Sequence, residues 1–279
     1  MKPPRSVAQA LADASRHLKQ AGIADPARDA RILMAHALNV ERSRLTLMQP
    51  EPMPPDAQAR LDSMLAARSA HQPVAQITGE RAFFGHRFCV TPAVLDPRPE
   101  TETLVATALE GAFRTVLDLG TGSGCILLSL LSERHAASGI GSDLSESALE
   151  VARRNAERLG IGRAEFIQSD WFSNIKGRFD LIVSNPPYIA QAEMPALAKD
   201  VFEWEPHMAL TPGPDGLKAY REIVAKAVSF LHRGGRLLVE TGPRQAIRVS
   251  GLFRGAGFDD VRIVKDLDGR DRVVQGRLM

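Results

Sequence analysis

The chain has 279 residues, 44% of them hydrophobic and 24% charged, with a formal net charge of +2. That is the balance of an ordinary globular protein with room for one large domain and something smaller, and so small a charge gives no argument for a nucleic-acid partner. Two cysteines, Cys89 and Cys125, do not make a disulfide framework, no apolar run is long enough to span a bilayer, and Met1-Lys2-Pro3-Pro4-Arg5 leads into a polar helical pattern instead of a signal-peptide core, so the expectation is a cytoplasmic protein without a membrane partner.

Ser6 with Gln9 three residues on predicts a capping box, and Leu11, Ala14 and Leu18 form one apolar stripe before Gly22. Asp25-Pro26, a cap and a favoured first-turn proline, predicts a second helix through Ile32, Leu33 and Ala37 to about Leu38. Leu45 and Leu47 suggest a short third element, and Asp56 after Pro54-Pro55 is expected to cap a helix carrying Leu61, Met64 and Leu65. Short helices with proline or polar breaks read as a small bundle over residues 1–72, assigned to substrate docking with a purely structural role as the alternative. Its interleaved charges predict a solvated face.

Residues 73–95 change texture: Pro73, Gly79 and Gly85 punctuate an alternation of Phe83, Phe88 and Val90, which predicts a β-hairpin linker around Gly85-His86. The third domain, 96–279, opens with Asp96-Pro97-Arg98-Pro99-Glu100-Thr101-Glu102 before an apolar helical stretch, Leu104 to Leu109. This is either a helix start with acids at its positive end or part of a site, since Arg98 is held between two prolines.

Thr115 to Leu119 is a buried-strand pattern that runs into Gly120-Thr121-Gly122-Ser123-Gly124 and then a helix through Ile126, Leu127, Leu130 and Leu131. Strand, glycine loop and helix in that order make a cofactor cradle, because glycines let a ligand approach the main chain and the helix start offers unpaired N–H groups. The dinucleotide fingerprint asks for a third glycine where this chain has Cys125, which counts against a nicotinamide cofactor. A second strand, Ser138 to Gly141, ends at Asp143, where an acid can grip both ribose hydroxyls of an adenosine. After a helix from about Ser145 to Leu159, a third strand, Glu165 to Gln168, delivers Asp170 and Trp171, a candidate clamp for an adenine edge and face, though Trp171 can equally be a core aromatic.

The fourth strand, Asp180 to Val183, meets Ser184-Asn185-Pro186-Pro187-Tyr188. Two prolines remove two donors and fix two φ angles, so the strand must end there and the chain turn out. What it presents is a carboxamide, carbonyls and an aromatic ring, a set suited to a planar NH2 group. Four parallel strand ends then share one edge, the edge at which open α/β sheets bind ligands. Further strands are expected at Arg236 to Thr241, Val261 to Asp266 and Arg272 to Arg277, the last two antiparallel across Asp268-Gly269. No metal is expected, since there is neither Cys-x-x-Cys nor His-Glu-x-x-His, and a lone histidine such as His207 reads as structural.

Asp118 to Gly124, Asp143, Ser169-Asp170-Trp171 and Asn185-Pro186-Pro187-Tyr188 together resemble a class I S-adenosylmethionine-dependent methyltransferase of the amino-methylating branch. Thr78-Gly79-Glu80-Arg81, Pro97 to Glu102, Glu205-Pro206 and Asp215-Gly216-Leu217 sharpen this to a resemblance to the PrmC/HemK family, which methylates a glutamine of peptide chain release factors. Glu240-Thr241-Gly242-Pro243 differs somewhat from that family's pattern. The resemblance implies an α/β fold, a seven-stranded Rossmann-like sheet with an antiparallel last strand, preceded by the helical bundle and the hairpin. It implies S-adenosyl-L-methionine held by Gly120, Thr121, Gly122, Ser123, Gly124, Asp143, Trp171 and Asn185. It implies catalysis by Asn185, Pro186 and Tyr188, with Pro187 joining them at the substrate, which is the glutamine of a release factor's Gly-Gly-Gln motif. An adenine-N6 methyltransferase of DNA or RNA shares the Asn-Pro-Pro-Tyr chemistry but would need a basic cleft or a recognition insertion, neither of which is evident. A glutamine methyltransferase of a ribosomal protein shares the motif too but differs around the Arg-Pro-Glu-Thr-Glu loop.

Overall fold

A computed structural model describes residues 5–279; residues 1–4, where the leader-free start was read, lie outside the described part. In chain order come α1 (Val7–Gln20), α2 (Pro26–Ala37), α3 (Leu45–Met48), α4 (Pro55–Ser69), α5 (Val74–Thr78), β1 (Glu80–Phe83), β2 (His86–Cys89) and α6 (Glu102–Leu109). Then follow β3 (Thr115–Leu119), α7 (Cys125–Glu133), β4 (Ser138–Asp143), α8 (Glu146–Leu159), β5 (Ala164–Gln168) and β6 (Phe179–Ser184). The chain closes with α9 (Lys199–Phe202), α10 (Lys218–Phe230), β7 (Leu231–Glu240), α11 (Ala246–Gly255), β8 (Asp259–Lys265) and β9 (Asp271–Arg277). These elements form two compact units: one takes Met1–Gly79, as far as it is described, with Ala198–Trp204, and the other Glu80–Leu197 with Glu205–Met279.

The first unit is helical. The capping box forms as expected, with Ser6 Oγ accepting from the Gln9 amide at 3.3 Å and Gln9 Oε1 from the Ser6 amide at 3.0 Å. Asp25 caps α2 through the Arg28 amide. At α4 the expected cap fails: Pro54 is the capping residue, and Asp56 sits inside the first turn, where its charge faces the positive helix end and Arg60. Val7, Ala14, Leu18, Leu33, Leu45 and Leu61 make the core, whereas Leu47 is exposed. The charges are not all solvated. Arg68 is buried, its Nε donating to Asp29 Oδ2 at 2.7 Å and its Nη1 to the carbonyls of His71 and Gln72, so it closes the end of α4 from inside.

The second unit is built on a seven-stranded sheet in the order β5-β4-β3-β6-β7-β9-β8. The first five strands of that order run parallel, and β9 is antiparallel to both neighbours, as Asp268-Gly269 predicted. Alternate residues of one strand enter different cores, the consequence of a two-residue period with both faces covered. Val116, Leu181, Val183, Leu238 and Val273 pack on α6, α7 and the hairpin phenylalanines; Leu117, Leu119, Ile182, Leu237 and Val274 pack on α10 and α11. Strands β1 and β2 meet at a two-residue turn, Phe84-Gly85, with φ of 46° and 78°, the left-handed pair that suits a right-handed twist. The stretch 73–79, expected as the start of the linker, instead carries α5, whose apolar residues Val74 and Ile77 pack on the helical core.

Candidate active site

From β3 the chain runs outward on one side of the sheet through β4 and β5, then returns to the other side of β3 as β6. The connections that leave the carboxyl ends of β3 and β6 therefore diverge, and a crevice opens between them. A cavity of about 300 Å³ lies there, at the low end of small-molecule sites. Gly120, Thr121, Gly122, Ser123, Asp143, Trp171, Asn185 and Pro187 line it, so four separate strand ends contribute. Gly124, Pro186 and Tyr188 do not.

Each placement has a local cause. Gly120, Gly122 and Gly124 take φ of 69°, 55° and 78°, and a Cβ on Gly124 would lie 3.1 Å from Leu128 and 3.2 Å from Ala152. Gly124 therefore lets α7 start close against α8 and supports the loop without touching the cavity. Asn155, a polar residue on the buried face of α8, was missed in the sequence. It donates to the Ser123 carbonyl at 2.9 Å and exchanges two hydrogen bonds with the Cys89 main chain, tying the glycine loop to β2. An asparagine among Ala148, Leu149, Val151 and Ala152 was the available signal.

Asp143 accepts from the Gly122 amide at 2.9 Å through one carboxylate oxygen and from the Ser145 amide at 3.0 Å through the other. Burial raises its pKa against those bonds, yet each oxygen keeps a second lone pair for a ligand hydroxyl. Asp118, fully buried below the loop, accepts from Thr121 Oγ1 at 2.7 Å. Burial pushes its pKa up to about 7. An unfolded aspartate ionises near 3.8, so the folded state holds the extra proton between about 4 and 7, and the stability this group contributes is full below that window and lost across it. The loss is on the order of 4 kcal/mol at roughly 1.4 kcal/mol per pKa unit. Asp118→Asn is expected to flatten the fall of Tm with pH between 4 and 7, and melting curves that stay parallel to the parent's would contradict it. Glu240, raised to about 7 by burial, carries the same sign, so part of the slope persists.

Beyond Ser184 the backbone is irregular, and alternate residues face opposite sides, Asn185 and Pro187 toward the cavity. That alternation is why Tyr188, expected over the substrate amide, packs instead against the core on the α10 side, with its ring beside Gly242. Gln245 holds the turn: its Nε2 donates to the Tyr188 carbonyl at 2.8 Å and its Oε1 accepts from the Gly242 amide. Gly216 lies so near the Tyr188 carbonyl that no Cβ fits there. The next residues pair with the segment 210–213, Ile189 N donating to the Leu210 carbonyl, which brings Met208, Thr211 and Pro212 to the cavity wall.

The proline-stiffened loop also arrives at the cavity. Arg98 lines it and its Nη2 donates to both carboxylate oxygens of buried Glu205 at 2.7 and 2.6 Å; Glu102 accepts the Phe84 amide, anchoring the hairpin. Thr101 accepts from Asn185 Nδ2 at 3.3 Å. Burial pushes the Tyr188 phenol and the Cys125 thiol up to about 12, so neither is a base or nucleophile near neutral pH. Among the described residues no group of three or more His, Cys, Asp or Glu is arranged to hold a metal ion, and no helix is long and apolar enough to cross a membrane.

Residues 9–79 match the PrmC N-terminal domain and residues 95–214 the methyltransferase small domain. A release factor glutamine methyltransferase from Cereibacter sphaeroides is 56% identical over 97% of this chain and 98% of its own. A methyltransferase structure from Pyrococcus furiosus superposes with a TM-score of 0.54 at 18% identity, covering 77% of this chain and 96% of that one. A 16S rRNA N2 methyltransferase from T. thermophilus, in complex with AdoMet and guanosine, gives 0.52 at 20% identity over 72% of this chain and 50% of that one.

Proposed function

The chain belongs to the release factor glutamine methyltransferase family, and from that premise we propose that it transfers a methyl group from S-adenosyl-L-methionine to the N5 amide nitrogen of the Gly-Gly-Gln glutamine in peptide chain release factors. The observation that carries this reading is a single cavity lined both by the glycine loop with Asp143 and by Asn185 with Pro187. The cofactor suits that lining: a carboxylate with free lone pairs for ribose hydroxyls, an indole for the adenine face and a helix start for the charged end. When bound, it supplies an electrophilic methyl carbon on a sulfonium.

A carboxamide nitrogen is a poor nucleophile because its lone pair is delocalised into the carbonyl. Asn185 Oδ1, on the cavity wall, and the main-chain carbonyl of Pro186, between the two lining residues Asn185 and Pro187, each accept one N–H of the substrate amide. The hydrogens are thereby held out of the attack line, which leaves the nitrogen lone pair free to point into the cavity, where the bound cofactor would present its methyl group. As the nitrogen becomes positive both acceptors bind more strongly, so their contribution grows toward the transition state. No base is needed beforehand, since the methylated cation sheds its proton readily. Tyr188, neutral and packed behind the turn, keeps the Asn-Pro-Pro backbone in place. The domains are assigned as 1–72 for docking the release factor, 73–95 as linker and 96–279 for methyl transfer.

Incubation with S-adenosylmethionine and a release factor, beside a parallel sample of duplex DNA, is expected to add one methyl to the Gly-Gly-Gln glutamine by mass spectrometry. Label on DNA adenine, or an unmodified glutamine, would sink the assignment.

A further inference from the structure

We propose that Ser169 is a positioning residue for the cofactor: its hydroxyl locks Trp171 in a left-handed backbone conformation, and that conformation is what turns the indole onto the cavity wall. The proposal rests on the indole-to-adenine reading given above. The sequence divided Trp171 between a core aromatic and a clamp, and the fold gives it both duties. The residue packs against the core that Leu117 and Leu119 share with α10 and α11, and it also lines the cavity, where a Cβ on Gly120 would lie 3.9 Å from the ring.

Trp171 has a φ of 48°. For a bulky residue that is an outlier, because its Cβ is crowded against the main chain. A backbone conformation of this kind costs free energy and persists only where its surroundings over-determine it. At the ordinary φ of about −60° the Cβ would be swung by about 110° around the N–Cα bond, and the indole would leave the wall. A site that needs the ring there needs something to hold residue 171.

Ser169 does so from two residues upstream. Buried at 3% exposure, it donates its hydroxyl proton to the Trp171 carbonyl at 2.8 Å and accepts from the Asn174 amide at 3.0 Å, so one side chain closes the turn on both sides of residue 171. The Asn174 side chain reaches back to the Gln168 carbonyl at 2.8 Å, which seats the turn on the end of β5. The Ser169 amide donates to the Asp143 carbonyl at 2.9 Å, tying the same turn to the strand end that carries the ribose acid. Ser169 lines the cavity too, but a hydroxyl has one proton to give and this one is already given to Trp171. Its effect on the cofactor therefore passes through the indole.

The chain has two tryptophans, so in a Trp204→Phe background Trp171 alone emits. Ser169→Ala in that background is expected to shift the cofactor-free emission to the red, because an indole off the wall meets water. It should also raise the calorimetric Kd for S-adenosylmethionine by about tenfold, the scale of one hydrogen bond. Trp171→Ala should raise that Kd by about 10–100-fold, the scale of stacking a base on an aromatic ring. Adding Ser169→Ala to Trp171→Ala should change it by less than about twofold, since the lock then has no ring to hold. An unshifted emission, a parental Kd in Ser169→Ala beside weakened binding in Trp171→Ala, or a Ser169→Ala loss that persists in full when both are changed overturns the proposal. Should Ser169→Ala not fold, Asn174→Ala, on an exposed side chain, carries the test: the same red shift is expected with a Kd raised about threefold, and unshifted emission overturns the lock. A parental Kd in Trp171→Ala refutes the adenine reading beneath the proposal, and the emission then decides the lock by itself.

Discussion

Asn185→Ala is expected to cut the single-turnover rate of methyl transfer by about 10³-fold, at the upper end of what removal of one transition-state hydrogen-bonding group costs. Alanine cannot accept an N–H, so one substrate hydrogen is left unbound and the amide nitrogen stays planar in its own resonance. The effect belongs in kcat, because the interaction strengthens only as positive charge develops. Asn185 does line the cavity that also holds the cofactor loop, but its side chain hydrogen-bonds to Thr101 and not to the glycine loop or Asp143, so the rest of the cradle stands without it. Calorimetric affinity for S-adenosylmethionine should therefore change by less than about threefold. Near-parental turnover in this variant would remove the mechanism proposed for the Asn-Pro-Pro-Tyr turn.

Asp143→Ala should act on the other half of the reaction, weakening cofactor binding by about 10²-fold in calorimetry while leaving turnover at saturating cofactor within a few-fold. Two charge-assisted hydrogen bonds to ribose hydroxyls, at roughly 1.5–3 kcal/mol each, more than cover that loss. Asp143 has a second duty: its carboxylate accepts from the Gly122 and Ser145 amides, which fixes the glycine loop against the start of α8. Asp143→Asn keeps an acceptor for one of these amides and should fall between parent and alanine. Unchanged affinity in the alanine variant would take Asp143 out of the ribose site.

The order of elements was legible because it depends on short-range rules. A cap with its partner three residues on, a proline in the first turn, a buried run of five residues before glycines and a two-residue turn each act within a few bonds. They appear where expected at Ser6, Asp25 and β3, and the hairpin turn falls one residue before the expected Gly85-His86, at Phe84-Gly85. Asp56 shows the limit even locally, since Pro54 already has the extended backbone of a capping residue and leaves the acid inside the first turn. Arg68 and Asp29, thirty-nine residues apart, could not be told from a solvated pair by charge pattern, because only the packing of α2 on α4 removes them from water. Asn155 and Gln245 escaped for the same reason: an amide is useful wherever the fold brings main-chain groups to it, and no spacing announces that.

By itself, then, the amino-acid order determined a strand–glycine–helix cradle, an acid at the next strand end and an asparagine released by two prolines, along with the parallel strands that bring all of them to one edge. Tertiary structure alone decided which members of those motifs meet the ligand. Asn185 and Pro187 face the cavity and Tyr188 does not, because an extended backbone turns alternate residues to opposite sides and the Tyr188 ring finds its room beside Gly242. It also decided that Thr101, far from Asn185 in the chain, stands beside it, since a hydrogen bond needs its partners within about 3 Å and only the closed fold supplies that proximity.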